Sequence, residues 1–228
     1  MSIIDIPIKN SEVLECLNNF SDYYFNNKRD VVTKTIKGHL EFKPRRKEFM
    51  SDEYRDHIIS QSEKHDGFPE ACYGYNLKAE RFEFTHDAKN EDIQELTKNY
   101  TRLNTDLQLV LNGKHNALNM LYPPEGYISW HNNANASAYN LIFTWSETGD
   151  GSFSYVDGHT GKTVVVPDVK GWQCKAGYFG SYEEPWYNRV YHAAETNCWR
   201  LTVSYIFDRT DMSKGLQDEI IEEIMSDF

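Results

Sequence analysis

The sequence has little positive charge, no paired-cysteine motif and no long apolar run. Its 24 lysine and arginine residues are outnumbered by 35 aspartate and glutamate residues, which gives a formal net charge of −11 at pH 7. Binding to a nucleic-acid backbone requires a basic surface. The one basic cluster, residues 43–47, is short and interrupted by proline. We therefore interpret that cluster as a solvated loop and do not expect nucleic acid to be a partner.

The cysteines and the N-terminus bear on the cellular compartment. The four cysteines are scattered, with no CxxC pair and no spacing typical of a metal site: Cys16, Cys72, Cys174 and Cys198. Reduced thiols in a cytoplasmic protein are the simplest interpretation. The N-terminus has no basic stretch followed by a long apolar core, so we predict no signal peptide. No run approaches the roughly 18 apolar residues of a transmembrane helix, so we predict no membrane span.

The sequence is rich in aromatic residues, with fifteen Tyr, twelve Phe and five Trp. Such a composition is typical of a folded protein with an aromatic β core. In the second half, short strand-like segments are separated by turn signals such as Pro123-Pro124 and Asp157-Gly158, and this pattern predicts a sandwich or jelly roll. The predicted strands are residues 117–122, 126–131, 139–145, 151–155, 163–166, 171–179, 189–192 and 199–207.

Helical periodicity surrounds this β region. A first helix, capped by Ser11, is predicted to end near residue 26, and further helices are predicted over residues 51–63, 91–112 and 212–228. Three more short strands are predicted in the N-terminal half: residues 31–36, 40–42 and 81–85. No linker or internal repeat divides the chain.

We therefore predict one domain over residues 1–228, mainly β with flanking helices and built on a double-stranded β-helix, the jelly-roll or cupin-like fold. A helical and mixed N-terminal support is expected over about residues 1–116. The jelly-roll core is expected over about residues 117–207, and a C-terminal helix over about residues 212–228.

Two histidines lie in or beside predicted strands, some sixty residues apart. His131 is the last residue of the second predicted strand, and His192 is the last residue of the seventh. If residues 127–133 stay extended, side chains two positions apart share one face of the strand. That face would carry Tyr127, Ser129, His131 and Asn133.

The last predicted strand has one polar and one apolar face. Arg200, Thr202 and Ser204 alternate along it, and four apolar residues occupy the positions between and after them: Leu201, Val203, Tyr205 and Phe207. Because successive side chains of a strand point to opposite faces, the polar set is expected to line a site while the apolar set packs beneath a helix.

In order and spacing, these residues resemble the iron(II)- and 2-oxoglutarate-dependent dioxygenases. The similarity is to the prolyl 4-hydroxylase-like branch, with its small relatives in phages and marine bacteria. The family pattern is a Tyr on a strand, a Gly turn, His-x-Asp, a distal His, and Arg-x-Ser/Thr on the final strand. The corresponding residues here are Tyr122, Gly126, His131-Asn132-Asn133, His192 and Arg200-Leu201-Thr202. The resemblance covers residues 117–207.

The resemblance implies a site for iron(II) and 2-oxoglutarate. His131 and His192 would be the imidazole ligands of the iron, and three positions would remain for 2-oxoglutarate and dioxygen. Arg200 would form a bidentate pair with the distal carboxylate of 2-oxoglutarate, a geometry that lysine does not reproduce. Thr202 would add a hydroxyl donor and Tyr122 a phenol. The implied activity is a hydroxylation in which the oxo acid is converted to succinate.

Asn133 stands where the family has Asp or Glu as the third ligand. A neutral amide removes one negative charge, so we expect weaker iron binding and a more positive site. Three interpretations are open: ligation by the Asn133 carbonyl oxygen, a two-histidine site with water as in the aspartyl/asparaginyl β-hydroxylases, or an inactive site. Asp157, in a turn after Tyr155, is a distant candidate for a replacement carboxylate.

The expected substrate is a small molecule or a peptidyl residue. Trp130, Tyr139 and Trp186 are aromatic residues near the expected mouth, where they could stack on a flat or apolar substrate. Packing in the core is the alternative interpretation. The segment of residues 181–188, just before His192, is charged and aromatic, and we predict that it forms a substrate loop or lid.

Two other classes of function are compatible with these residues. One is a catalytically silent jelly-roll module that binds a protein or a sugar, such as a phage accessory or structural protein. The other is a cupin-like metal isomerase, which would use both histidines but neither Arg200 nor Thr202. The discriminating observation for the silent module is whether His131 and His192 converge within reach of a shared metal ion.

Overall fold

The computed structural model describes residues 3–23, 25, 45–61, 64, 67–77, 91–111, 115–134, 136–207 and 211–227. Its strands are β1 (Ile4–Ile6), β2 (Cys72–Tyr73), β3 (Tyr75–Asn76), β4 (His115–Tyr122), β5 (Tyr127–His131), β6 (Ala138–Ser146), β7 (Gly151–Val156), β8 (Thr163–Pro167), β9 (Gly171–Phe179), β10 (His192–Thr196) and β11 (Arg200–Phe207). Its α-helices are α1 (Ser11–Asp22), α2 (Arg46–Phe49), α3 (Asp52–Gln61), α4 (Glu91–Val110) and α5 (Asp211–Met225). The strands predicted over residues 31–36, 40–42 and 81–85 lie outside the described residues.

The described strands form two antiparallel sheets. The order in the first sheet is β1-β9-β6-β11-β4-β3, and in the second it is β2-β5-β10-β7-β8. Taken in chain order, β4 to β11 fall in the first, second, first, second, second, first, second and first sheet. This alternation winds the eight strands into a double-stranded β-helix. The predicted fold class, mainly β with flanking helices and a jelly-roll core, is therefore confirmed.

The two faces of β11 separate the interior of the jelly roll from its helical side. Arg200, Thr202 and Ser204 line a cavity between the sheets. The residues between and after them belong to the core of the opposite face: Leu201, Val203, Tyr205 and Phe207. This confirms the predicted alternation. β11 lies between β4 and β6, so both of its edges are hydrogen-bonded and its register is fixed from two sides.

The outer face of the first sheet forms one apolar core with α1, α4 and α5. The helices contribute residues three or four positions apart, which is the spacing of a single helical face. These residues are Val13, Leu17 and Phe20 from α1, Tyr100, Leu103 and Leu107 from α4, and Ile220 and Ile224 from α5. The second sheet is covered on its outer side by α3, where Ile58 packs with Trp130 and Tyr191.

Two predicted boundaries were wrong. The cap of α1 is Asn10 rather than Ser11, because the helix begins at Ser11 and the Asn10 side chain accepts from the amides of Glu12 and Val13. The seventh strand of the jelly roll, predicted over residues 189–192, begins at His192. Among the described residues, no helix is long and apolar enough to cross a membrane.

Leu107 and Leu109 of α4 provide a test of the helical core. Leu107 is fully buried and Leu109 is 76% exposed. We expect Leu107→Ala to lower the free energy of unfolding by about 2–5 kcal/mol because it leaves a cavity. Leu109→Ala removes the same atoms from the same helix, and should change the free energy of unfolding by less than about 0.5 kcal/mol. Urea unfolding measures both; equal effects would contradict the packing of α4 described above.

Candidate functional site

A cavity of about 560 Å³ lies between the two sheets. This volume is within the range of small-molecule sites. The structure brings to its wall all six residues for which iron or 2-oxoglutarate binding was predicted: Tyr122, His131, Asn133, His192, Arg200 and Thr202. They come from β4, β5, the turn after β5, β10 and β11. The jelly roll thus gathers into one cavity residues that are up to 80 positions apart in sequence.

A β-bulge in β5 accompanies the pairing of the two histidines. His192 is opposite His131 and Ala194 is opposite Ile128, so two residues of β5, Ser129 and Trp130, face one residue of β10. The imidazole centroids of His131 and His192 are 4.2 Å apart. Bulges of this kind are frequent beside functional sites because they redirect a side chain.

The bulge breaks the predicted alternation of β5. Ile128 lines the cavity together with His131. Tyr127 instead stacks on Phe49, with 6.4 Å between the ring centroids, and the Ser129 hydroxyl accepts from the amide of Ala71. The prediction that Tyr127 and Ser129 share the face of His131 was therefore wrong, because one extra residue in the strand shifts its side-chain phase.

Backbone carbonyls orient both imidazoles. Nδ1 of His131 lies 2.7 Å from the Ser129 carbonyl oxygen, and Nδ1 of His192 lies 3.1 Å from the Val190 carbonyl oxygen. A carbonyl only accepts, so each Nδ1 carries a proton. Burial lowers the pKa of His192 to about 4, which keeps that ring neutral at pH 7. Neutral imidazole is the form that binds a metal.

Asn133 lies at the start of a tightly held turn. The next residue, Ala134, has a φ of 50°, a left-handed conformation that is uncommon for a residue with a side chain. Its amide donates to the Asn132 side chain, and its carbonyl accepts from the amide of Tyr182. Gly67 packs directly against it, because a Cβ at Gly67 would lie 2.1 Å from the Ala134 nitrogen.

Arg200 is held by a buried carboxylate that the sequence did not point to. Its Nε donates to Oδ2 of Asp168 at 2.7 Å, and its Nη2 makes a longer contact of 3.5 Å to Oδ1. The side chains of Arg200 and Asp168 are 3% and 0% exposed. Nη1 donates to the Thr202 hydroxyl at 2.7 Å. The pair is therefore neutral overall, but its hydrogen bonds give the guanidinium a fixed direction.

Tyr122 is buried with its hydroxyl unpaired among the described residues. Its ring lies under the Arg200 guanidinium, with 5.7 Å between the carbon of that group and the ring centroid. Burial raises the pKa of Tyr122 well above its usual value, so the phenol keeps its proton. A buried hydroxyl without a partner is costly. Because Tyr122 lines the cavity, its hydroxyl is suited to donate to an oxygen atom of a ligand bound there.

These features fit an iron(II) ion with a 2-oxo acid. Two adjacent imidazoles, each fixed through a hydrogen bond at Nδ1, suit the metal. A buried Arg–Thr pair and an unpaired phenol suit a carboxylate. Among the described residues, no group of three or more His, Cys, Asp or Glu side chains could hold a metal ion. Asn133, whose position in the sequence corresponds to the third ligand, lies on the cavity wall and offers a neutral amide oxygen.

Three aromatic residues predicted to touch substrate lie elsewhere. None of Trp130, Tyr139 and Trp186 is among the described residues that line the cavity. Trp130 packs on the outer side of the second sheet, Tyr139 packs against the helical core, and Trp186 lies beside the ring of Tyr191. Asp157, the distant candidate for a replacement carboxylate, accepts in its own turn from the Thr160 hydroxyl and amide.

The segment of residues 181–188, predicted to be a lid, borders the mouth without lining it. Its contact with the cavity wall is the hydrogen bond from Tyr182 to Ala134. Glu184 holds it together by accepting from Ser137, Tyr178 and Asn188. Burial raises the pKa of the Glu184 carboxyl, but these hydrogen bonds lower it more, so it lies below its usual value. These hydrogen bonds hold the segment beside the cavity in this conformation.

Sequence reasoning missed one part of the cavity wall. Gly67, Phe68 and Pro69 belong to the N-terminal half, to which no site residue was assigned, yet they line the cavity. Phe68 is 73% exposed, which is unusual for a large apolar side chain. A Gly-Phe-Pro turn was the available signal, but such turns are common on protein surfaces.

No protein-family model matches this chain, and no curated protein matches its sequence. Among solved structures, it is similar to a prolyl-4-hydroxylase from Pseudomonas putida, with a TM-score of 0.31 and 14% identity over 55% of this chain and 70% of that one. It is also similar to a predicted oxalate decarboxylase from Thermotoga maritima, with a TM-score of 0.25 and 16% identity over 44% and 72%. It is also similar to an RmlC-like cupin from Shewanella frigidimarina, with a TM-score of 0.22 and 13% identity over 42% of this chain and 68% of that one. Similarities this distant do not indicate an activity.

Gly67 and Gly161 provide a matched test of the turn after β5. Both have a positive φ, 82° and 68°, but nothing lies within 4 Å of a Cβ added at Gly161. We expect Gly161→Ala to lower the free energy of unfolding by about 1 kcal/mol. Gly67→Ala should cost about 2–4 kcal/mol, because backbone strain and a clash with Ala134 add together. Thermal unfolding measures both; equal losses would mean that Gly67 does not support the turn.

Proposed function

We propose that this protein is an iron(II)- and 2-oxoglutarate-dependent dioxygenase that hydroxylates its substrate. One observation carries the proposal: His131 and His192 lie side by side, with both Nδ1 atoms bonded to carbonyl oxygens, in the same cavity as Arg200 and Thr202. A silent binding module gives no reason for two adjacent imidazoles to be oriented in this way. A metal isomerase gives no reason for the Arg200–Thr202 pair.

In this proposal the imidazoles hold the iron through Nε2. Asn133 supplies a neutral oxygen from its side-chain carbonyl at a third position. When bound, iron and 2-oxoglutarate supply the oxidising chemistry, in which dioxygen is consumed, the oxo acid yields succinate and carbon dioxide, and a C–H bond of the substrate becomes C–OH. The contribution of the chain is to bind, to orient and to exclude water.

Arg200 and Thr202 bind the distal carboxylate of the oxo acid. The guanidinium has five N–H groups, and the contacts with Asp168 and Thr202 use three of them. One N–H on each Nη can therefore donate to a carboxylate. The Thr202 oxygen accepts from Nη1, so its own proton can point toward the ligand. Tyr122 adds a phenol from the same wall.

The substrate enters past an apolar mouth. Phe68 and Pro69 lie on one side of the cavity, and Ala134 and Ala136 follow Asn133 along its wall. Phe153 also lines the cavity and contacts His192, with 5.9 Å between the ring centroids. Such walls favour an uncharged substrate, either a small molecule or an apolar peptidyl side chain.

Anaerobic titration with iron(II) and then 2-oxoglutarate tests the proposal. We expect the weak visible charge-transfer band of the chelate only when both are present. His131→Ala and His192→Ala should abolish the band. Arg200→Ala should make the band independent of the distal carboxylate of the oxo acid. Asn133→Asp should raise iron affinity by about tenfold, because a charged ligand replaces a neutral one.

His159→Ala is the matched control for the histidine variants, because that ring lies in an exposed turn, and this variant should keep the full band. Absence of a band in the unmodified protein at millimolar ligand would overturn the proposal and favour the silent binding module. A band that appears with iron and survives Arg200→Ala unchanged would favour the metal isomerase.

Tyr122→Phe tests the unpaired phenol. Removing a hydroxyl that donates to bound 2-oxoglutarate should weaken its affinity by about fivefold. The unfolding temperature should hold or rise, because the variant also removes a buried unsatisfied group. Tyr191→Phe is the control, since its hydroxyl is likewise buried and unpaired among the described residues but does not line the cavity. Equal loss of affinity in both variants would contradict a ligand contact for Tyr122.

A further inference from the structure

Asp168 is a buried carboxylate that contacts Arg200 behind the cavity wall. It lies between β8 and β9, 32 residues before Arg200, and its side chain is completely buried. A buried carboxylate paired with a buried guanidinium is costly to desolvate and does not by itself stabilise a fold relative to apolar packing. Its presence beside a cavity therefore needs an explanation other than stability.

The surroundings of Asp168 fix its position. Its amide donates to the Gly151 carbonyl at 2.9 Å. Its Oδ1 accepts from Nε2 of Gln173 at 3.0 Å, while Oε1 of Gln173 accepts from Nζ of Lys175 at 2.8 Å. The two bonds require the same orientation of the Gln173 amide, so that amide cannot turn over without losing both. A Cβ at Gly151 would lie 2.6 Å from Oδ2 of Asp168, so the backbone of β7 closes the remaining side.

We propose that Asp168 is a positioning residue, which fixes the Arg200 guanidinium in the orientation that selects an oxo acid with a second carboxylate. Asp168 accepts from Nε and from one N–H of Nη2. The edge of the guanidinium formed by the other N–H groups of Nη1 and Nη2 is therefore directed away from Asp168. The hydrogen bond from Nη1 to Thr202 then aligns the hydroxyl with that same edge. The pair also cancels the charge of Arg200, so recognition depends on the direction of hydrogen bonds rather than on net charge.

This inference rests on the proposed function and makes it more specific. If Arg200 were held only by its ligand, removing Asp168 would leave a more positive pocket and tighter binding of any anion. If Asp168 orients Arg200, its removal should lower the preference for a dicarboxylate. Binding of 2-oxoglutarate is therefore compared with that of 2-oxobutyrate, which has the same oxo-acid end and lacks the distal carboxylate.

The experiment measures the dissociation constants of both oxo acids, by calorimetry on the iron(II)-loaded protein without oxygen. We expect the unmodified chain to prefer 2-oxoglutarate, and Asp168→Asn to reduce that preference by about tenfold or more. Gln173→Leu keeps the carboxylate but removes one support, and should reduce the preference by about threefold. In the metal-free protein, the Nε–H signal of Arg200 should exchange slowly with solvent by NMR and exchange faster in Asp168→Asn.

Gln217→Leu is the matched control, because Gln217 is a buried amide that donates to the Asn140 carbonyl and does not line the cavity. It should leave the preference unchanged. If the unmodified chain does not prefer 2-oxoglutarate, the proposed function fails and the role of Asp168 fails with it. If it does, and both Asp168→Asn and Gln173→Leu keep the preference or weaken the two acids equally, only the role of Asp168 is overturned. Should Asp168→Asn not fold, Gln173→Leu decides.

Discussion

The register of β11 is the constraint on which the site depends. This central strand carries Arg200 and Thr202 on one face and Val203 and Tyr205 on the other. A slip of one residue would exchange the faces, placing a guanidinium in the helical core and apolar side chains in the cavity. Pairing with β4 and β6 on both edges makes such a slip costly. The hydrogen bonds that hold the sheet therefore also fix the positions of Arg200 and Thr202 in the cavity.

The scaffold orients the two imidazoles and the Arg200 guanidinium of the cavity before any ligand binds. The imidazoles are bonded to carbonyl oxygens and Arg200 is bonded to Asp168 and Thr202. The Tyr122 hydroxyl has no partner among the described residues. Satisfied groups fix geometry, whereas an unsatisfied one costs folding free energy that a ligand can return. The distribution suits a pre-organised site in which the Tyr122 hydroxyl, like the two remaining N–H groups of Arg200, can donate to a ligand.

Sequence could predict those parts of the site that follow from local patterns. Alternation along β11 identified its polar face, and the strand count identified the jelly roll. The bulge in β5 was not predictable, because no glycine or proline marks it and the extra residue is visible only against the register of β10. Asp168 was missed because its pairing with Arg200 spans 32 residues and depends on how β9 and β11 flank β6. Non-local pairings of this kind leave no periodic signal.

Asn133 stands where the family has a carboxylate. Together with Asp168, this change alters how charge is distributed along the cavity. With neutral imidazoles, the usual site has one negative charge at the metal end and one positive charge at the arginine end. Here Asn133 is neutral and Asp168 pairs with Arg200, so the total formal charge is again zero but the negative charge lies at the opposite end. Under the proposed function, the metal end is then the more positive one and attracts the oxo-acid group. The distal end must instead select its carboxylate through the directions of the Arg200, Thr202 and Tyr122 donors. The specificity of the site then lies in the hydrogen bonds that orient Arg200 and Thr202 and in the packing that holds Tyr122.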